Sequence, residues 1–331
     1  MLGEFELISR LRERIAAGGA DGSPHVVLGS GDDAAITHPP GVTATSVDAV
    51  VDGVHFRRST FPPRAIGRKA LAAALSDLAA MGATPGEIYV QAGLPGDIGE
   101  ADVDGLADGM AEIASEAGAA IVGGDVVSSP VLFLAVAVVG HAASVGSLVT
   151  RAGAMPGDVV IVTGRLGGAA AGLCLLEEER LADAVDPSVG EELRKRQLAP
   201  APRIAAGLAL ARVGASAMID ISDGVAADAV HLARASGVRI ELDIGAAMIV
   251  PGVKAVAAAT GREEIALAGG GEDYELLACV PAERADAALS AVRETTSDPA
   301  ICGRVERGEG VVLRGPSGRE ASIEGFDQIR S

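Results

Sequence analysis

Residues 28–36 read "LGSGDDAAI", and place the adjacent carboxylates Asp32 and Asp33 directly after the strand-like "HVVLGSG". Gly, Ser and Asp are good turn formers, so the stretch alone is explained as a polar turn. Two neighbouring carboxylates are also the oxygen-rich grouping that a hard cation such as Mg²⁺ requires. The rest of the chain bears on the choice, because the pattern of an apolar strand, small residues and then an acid returns. It recurs at Ser46-Val47-Asp48, Gly123-Gly124-Asp125, Asp220-Ile221-Ser222-Asp223-Gly224 and Gly270-Gly271-Glu272-Asp273. Asp77, in "LSDLAAMGA", lies near the C-terminal end of a helix expected over Arg64–Met81, where the helix dipole favours cations. One such turn is ordinary structure, but turn chemistry alone is a poor account of the whole set.

If these acids converge, their repulsion has to be neutralised, and two or more divalent cations are the obvious means. The glycines beside them let backbone N–H groups approach an anion closely. Carboxylates, Mg²⁺ and glycine-rich turns together describe a site for a nucleoside triphosphate. Other motifs fail on inspection. GxxxxGK[ST], HExxH and GxSxG are absent, and "GSGDDA" is cut off by Pro39-Pro40 before the helix that a dinucleotide fold needs. "EADVDGLADGMAE" resembles a calcium loop but puts Ala111 where a bidentate Glu belongs, and it reads as helix. The histidines at 25, 38, 55, 141 and 231 share no ligand spacing, and only His55, in "DGVHF", follows an acidic strand end.

The chain has 331 residues with 49% hydrophobic composition, enough for two domains with substantial cores. Acidic residues number 45 against 27 basic ones, a net charge of −18, and no Lys/Arg cluster offers a face to nucleic acid. Cys174, Cys279 and Cys302 lie far apart without CxxC spacing, which fits a reducing compartment better than disulfides or zinc. The run Val131–Val139 is too short to cross a bilayer, and the amphipathic N-terminus, with Phe5, Ile8, Leu11 and Ile15 on one side, lacks the apolar core of a signal peptide. A soluble, cytoplasmic protein with no membrane contact is expected.

Helices are expected at the N-terminus, over Arg64–Met81 and over Val103–Ala117. Strands are expected over 25–28, 42–56, 87–94, 119–125 and 131–140. Helix and strand mix without a strict βαβ rhythm, which makes this half α+β. "LVTRAGAMPGDVVIVTG" (148–164) reads as entry into a second domain. Helices follow at Gly167–Leu176 and Pro202–Val213, separated by a charged stretch from Glu177 to Gln197. A further helix closes at Gly237.

"GDDAAI", "DAVVDGVHF", "LSDLAAMGATP", "IVGGD", "IDISDG", "GGGEDYEL" and "GFDQI" occur in the order found in thiamine-monophosphate kinases. The chain resembles that family, within the superfamily of aminoimidazole-ribonucleotide-synthetase-like ATP enzymes, from Gly31 to Ile329. The resemblance implies an α+β fold of two domains, set here at 1–149 and 150–331. The first would be an ATP- and Mg²⁺-binding domain whose sheet pairs in a homodimer, and the second an α/β domain. It implies direct transfer of the γ-phosphate of ATP to thiamine monophosphate, with several Mg²⁺ ions. By position, Asp32, Ser46, Asp48, Asp77, Asp125, Asp220 and Asp223 resemble metal ligands. Gly124, Arg151 and Ser222 resemble ATP contacts, and His55, Glu272 and Phe326 resemble the substrate side. Val47 and Val126 depart from the family, which usually has threonine there.

A phosphate nucleophile is already ionised at neutral pH, so no catalytic base is expected, and positioning with charge neutralisation does the chemistry. The alternatives are a superfamily relative or a non-catalytic acidic metal binder. Selenide, water dikinases carry a reactive Cys or selenocysteine near the N-terminus, whereas the first cysteine here is Cys174. The hydrogenase-maturation relatives end in cysteine, and "GVHF" and "GFDQI" point away from aminoimidazole-ribonucleotide synthetase.

Overall fold

The computed structural model describes residues 4–295 and 298–321, which form two compact units. The first comprises residues up to Leu78 and Ala83–Val145; the second takes Ala79–Gly82 and the chain from Gly146 onward. Phe326 and "GFDQI" lie outside the described residues.

The first unit opens with helix α1 (Glu4–Ala17) and a small hairpin, β1 (Val26–Leu28) with β2 (Ile36–Thr37). Next come β3 (Val42–Val51), α2 (Pro63–Met81), β4 (Thr84–Leu94), α3 (Glu100–Ala117), β5 (Ala120–Ser128) and β6 (Phe133–Ala142). The four longer strands form one sheet in the order β3-β6-β4-β5, parallel only between β4 and β5.

Register sorts this sheet into two faces, because side chains alternate along a strand. One face carries Ser46, Val138 and Ile88 in one row and Asp48, Val136, Val90 and Gly124 in the next. Val136, Val138 and Ile88 are fully buried there. The opposite face carries Val47, Ala49, Ala135, Ala137, Gln91 and Val127, and Val47 is 71% exposed. Both faces are thus largely apolar, as the run Val131–Val139 suggests, but the described residues cover only one of them.

Helix α3 bears an acid at every fourth position: Glu100, Asp104, Asp108, Glu112 and Glu116. That spacing lines them along one stripe. Arginines of the flanking helices take them from either side. From α1, Arg10 Nε and Nη2 grip Asp104 at 2.5 and 2.6 Å, while Arg14 reaches Asp104 and Asp108. From α2, Arg64 and Arg68 reach Glu112, and Arg68 also reaches Glu116. Glycine permits close approach of α2 and α3: a Cβ at Gly109 would lie 1.9 Å from the Arg64 carbonyl oxygen.

The second unit contains β7 (Val159–Val162), α4 (Gly168–Glu177), α5 (Pro187–Leu198), α6 (Ile204–Val213), β8 (Ala217–Asp220), α7 (Val225–Ser236) and β9 (Arg239–Asp243). It continues with α8 (Val253–Thr260), α9 (Glu264–Ala268), β10 (Leu276–Val280), α10 (Ala285–Arg293), β11 (Ala300–Glu306), β12 (Gly310–Arg314) and β13 (Glu320–Ala321). Its seven-stranded sheet runs β13-β12-β9-β11-β7-β10-β8, and all pairs except β9–β12 are antiparallel. β10 is buried at every residue, between a large cluster that includes Leu166, Leu232 and Leu242 and a smaller one around Leu210 and Val292. The charged segment 177–197, expected to be only a connection, holds α5. Asp186 caps it by accepting from Ser188 N at 2.9 Å, and Pro187 starts it. Only Gly190, Leu193 and Gln197 are buried along α5, a stripe too thin to show as apolar periodicity.

The two-pronged grip of Arg10, joined by Arg14, holds the Asp104 carboxyl down at about 2. That is below its value in an unfolded chain, so the stabilisation is complete above roughly pH 4 and is lost as pH falls through 2. Asp104→Asn should lower Tm at pH 7 and melt more nearly like wild type at pH 2. A Tm gap unchanged from pH 7 to pH 2 in scanning calorimetry would show that this ion pair does not tie α1 to α3.

Candidate active site

In the second unit, residues 221–224 and 269–275 are zipped into one body. Glu272 N donates to Ser222 O at 2.8 Å, Tyr274 N to Ile221 O at 2.9 Å, and Ile221 N to Glu275 O at 2.7 Å. Glycines make the contact possible: a Cβ at Gly271 would sit 2.4 Å from Ser222 O, and one at Gly224 2.3 Å from Gly269 O. The motifs "IDISDG" and "GGGEDYEL", about fifty residues apart in sequence, thereby form a single acidic edge.

Each acid of that edge is held by a different partner. Asp228, from the first turn of α7, turns back so that Oδ2 accepts from Ser222 N, Asp223 N and Gly224 N at 3.0–3.1 Å. Asp273 accepts from Gly167 N at 2.6 Å and Ala169 N at 3.1 Å, at the N-terminus of α4. Glu275, 1% exposed, takes Arg203 Nη2 at 2.5 Å and Nε at 2.9 Å, and accepts from Thr163 Oγ1 at 2.6 Å. Gln197 Nε2 donates to Glu272 Oε2 at 2.6 Å. The loop adopts left-handed backbone at two non-glycine residues, Glu272 (φ 70°) and Tyr274 (φ 49°). Such strain persists only where the surroundings over-determine it.

Electrostatics follow from this crowding. Burial pushes Asp228 up to about 8, and the nearby charges of Asp220 and Asp223 add to the shift. Burial also raises Asp223, against the opposing pull of His231 and Arg151. Asp273 rises to about 7 by burial, despite its two backbone donors. Arg151 follows Thr150, whose carbonyl accepts from Met218 N at 3.1 Å, so it is held beside β8. Asp220 ends β8 and is 3% exposed.

The first unit arranges its residues differently. Ser46 on β3 donates its hydroxyl to Asp77 Oδ2 on α2, which joins two of the expected ligands directly. Asp48 lies one row further along the same face and accepts from Ala49 N at 2.7 Å. Gly124 shares the row of Asp48 on the far edge strand. Asp125 falls in the next row with Gln91 and Ala135, on the opposite face and three strand spacings away, about 14 Å. Asp32 occupies the exposed turn between β1 and β2 and accepts from Asp33 N at 2.8 Å. Arg12 of α1 holds this turn by donating to Ser30 O at 2.7 Å. Gly31 (φ +127°) leaves room for it, since a Cβ there would lie 2.5 Å from Arg12 Nη2. His55 is half-buried in the turn after β3, where Nδ1 accepts from Val51 N at 3.1 Å. A cavity of about 600 Å³ lies among α1, α3 and the sheet, lined by Arg12, Leu106, Met110, Val90, Gly124 and Asp125. Its size and apolar wall with a polar rim suit a small-molecule site.

Among the described residues no three His, Cys, Asp or Glu side chains stand together as a formed metal centre. Within the first unit, Ser46 and Asp77 are expected ligands that the structure joins by direct contact. Gln197, Arg203, Asp228 and Glu275 were not identified from sequence, and Asp273 only as the end of the acidic turn 270–273. The last two lie inside the quoted "GEDYEL", but Gln197 and Arg203 meet this loop from more than seventy residues away.

The chain matches the AIR synthase related protein models, the N-terminal domain over residues 31–142 and the C-terminal domain over 155–315. It is thus a two-domain protein of the AIR-synthase-related class. It is 41% identical over 281 residues to the thiamine-monophosphate kinase of Mycobacterium tuberculosis, covering 84% of this chain and 80% of that protein. To the Escherichia coli K12 thiamine-monophosphate kinase it is 38% identical over 285 residues, 84% and 83% of the two chains. Among solved structures, thiamine-monophosphate kinase from Stenotrophomonas maltophilia superposes with a TM-score of 0.82 at 33% identity, covering 94% of this chain and 97% of that one. A structure of AaThiL complexed with AMPPCP and TMP matches with a TM-score of 0.75 at 33% identity, covering 98% and 96%. The chain belongs to the thiamine-monophosphate kinase family.

Removing one member of the buried Glu275–Arg203 pair leaves the other charge without compensation, which costs about 3–5 kcal/mol. Glu275→Ala should lower the urea unfolding free energy by that amount. Arg203→Met together with Glu275→Leu should restore much of it. If Glu275→Ala costs no more than a surface substitution, the pair does not anchor the loop.

Proposed function

We propose that the chain transfers the γ-phosphate of ATP to the phosphate of thiamine monophosphate, giving thiamine diphosphate, the last step in making that compound. The observation that carries this reading is the zipped edge of the second unit. It carries Asp220, Asp223 and Glu272 on one hydrogen-bonded backbone, and this reading gives the first two to metal and phosphate and the third to the acceptor. The reading is supported by relatives named thiamine-monophosphate kinase and by the AaThiL structure bound to an ATP analogue and TMP.

Mg²⁺ fits the donors present, since all are carboxylate or hydroxyl oxygens, and the crowded charges around Asp228 are of the kind a cation relieves. Asp32, Ser46, Asp48, Asp77 and Asp125 would hold ions in the first unit, and Asp220 and Asp223 would do so in the second. When bound, Mg²⁺ neutralises the charge that keeps two polyanions apart. Gly124, Arg151 and Ser222 bind ATP: Gly124 through backbone, Arg151 through its guanidinium, Ser222 from a turn that Asp228 locks. His55 and Glu272 are assigned to the acceptor, and so is Phe326 on the strength of its motif "GFDQI". With Nδ1 accepting from Val51 N, the neutral His55 ring carries its proton on Nε2. No side chain removes a proton from the nucleophile, because the acceptor phosphate is already an anion.

We assign the two domains to residues 1–149 and 150–331, and the chain to a cytoplasmic homodimer. Dimerisation follows from the apolar sheet face left uncovered by the chain, where Val47 and Val127 are exposed. No helix of the described residues is long and apolar enough to cross a membrane.

Incubation with ATP, Mg²⁺ and thiamine monophosphate should yield thiamine diphosphate and ADP by chromatography. Asp48→Asn, Asp77→Asn and Asp223→Asn should each cut turnover about 100-fold or more while leaving the fold intact. Full activity in any two of them would remove the metal-binding role given to these carboxylates. Light scattering should give twice the mass of one chain, and Val47→Glu should shift it toward the monomer. A fully active wild-type monomer would contradict the sheet-to-sheet assembly.

A further inference from the structure

The charged segment leading to Gln197 has no role in the reading above, yet it ends on the loop that carries Glu272. Gln197 is the penultimate residue of α5, is 2% exposed, and puts Nε2 2.6 Å from Glu272 Oε2. Its place is fixed by tight contact between α4 and α5. A Cβ at Gly172 of α4 would lie 2.1 Å from Leu193 O and 3.2 Å from Gln197 Cβ, so neither helix can slide without a clash. α4 in turn receives Asp273 at its N-terminus. Adjacent residues of the loop are therefore tied to adjacent helices, with left-handed backbone at Glu272 and Tyr274 on either side of Asp273.

A glutamate side chain has three rotatable bonds, and ordering it costs entropy unless a partner holds it beforehand. Burying a neutral amide against a carboxylate oxygen fixes the orientation of the carboxylate and keeps its charge. A lysine or arginine at position 197 would neutralise that charge.

We propose that Gln197 is a positioning residue for acceptor recognition, acting only through Glu272. It orients the carboxylate toward the amino group of the thiamine pyrimidine, which can donate a hydrogen bond to it. The proposal rests on Glu272 facing the acceptor. It places α5 in the specificity apparatus of the enzyme, with no contact of its own to ATP.

The test measures kcat and both Michaelis constants for wild type, Gln197→Leu, Gln197→Met, Glu272→Ala and the double variant Gln197→Leu/Glu272→Ala, with Tm for each. Gln197→Leu and Gln197→Met should raise KM for thiamine monophosphate about tenfold, as loss of one hydrogen bond to a charged group implies. KM for ATP should stay within about twofold, and the double variant should be no worse than Glu272→Ala alone, which marks coupling through a single group. If Glu272→Ala leaves KM for thiamine monophosphate unchanged, the acceptor-side reading of Glu272 is wrong. If Glu272→Ala raises it but the Gln197 variants do not, the positioning role is wrong and the acceptor reading stands. Equal rises in both Michaelis constants with a lowered Tm in both Gln197 variants would make Gln197 a packing residue and overturn the proposal.

Discussion

Carboxylates that repel one another have to be held by groups other than themselves, and most of the second unit's local structure answers that requirement. Burial, with the nearby charges of Asp220 and Asp223 adding to it, pushes Asp228 to about 8. Three backbone N–H groups converge on Asp228, two more take Asp273, and Arg203 with Thr163 takes Glu275. Burial raises Asp228 to about 8 and Asp273 to about 7, which lightens the repulsion at neutral pH. The buried Arg203 compensates Glu275 by direct contact, and its charge is felt at Asp273 as well. The strain at Glu272 and Tyr274 fits the same logic, because a loop pinned from so many sides cannot relax to ordinary backbone angles.

The first unit solves a different problem with register. Its sheet places Ser46 and Asp48 on the helix-covered face within reach of α2, and sends Asp125 to the other side. α3 serves as the common clamp, its acids taking arginines from α1 and α2. That arrangement fixes α1, and α1 carries Arg12 to the Ser30–Asp32 turn. His25, where the hairpin begins, lies edge-on to His141, with ring centroids 5.0 Å apart, and His141 Nε2 is 2.9 Å from the buried Glu87. The first acidic turn is thus braced from both ends by side chains whose purpose does not show in their own sequence neighbourhood.

Much was legible in the chain beforehand. The recurring strand–small–acid pattern marked Asp32, Asp48, Asp125, Asp220 and Asp223, because turn chemistry and strand periodicity are short-range and survive in the order of residues. Asp77 was legible for the same reason, as an acid near the end of a long alanine-rich helix. The helices over 63–81, 100–117 and 225–236 announced themselves by capping and composition. α5 did not, since its buried stripe is only three residues wide.

By itself, then, the sequence determined which residues are acidic turns, which segments are helix or strand, and, through its motifs, the family. Tertiary structure decided what those residues face. Sheet register, not spacing, separates Asp125 from Asp48, because one step along a strand reverses the face. Close packing at Gly172, not any local signal, delivers Gln197 to Glu272 across 75 residues of chain. Such contacts depend on where two backbones can touch, and no local pattern of residue types encodes that.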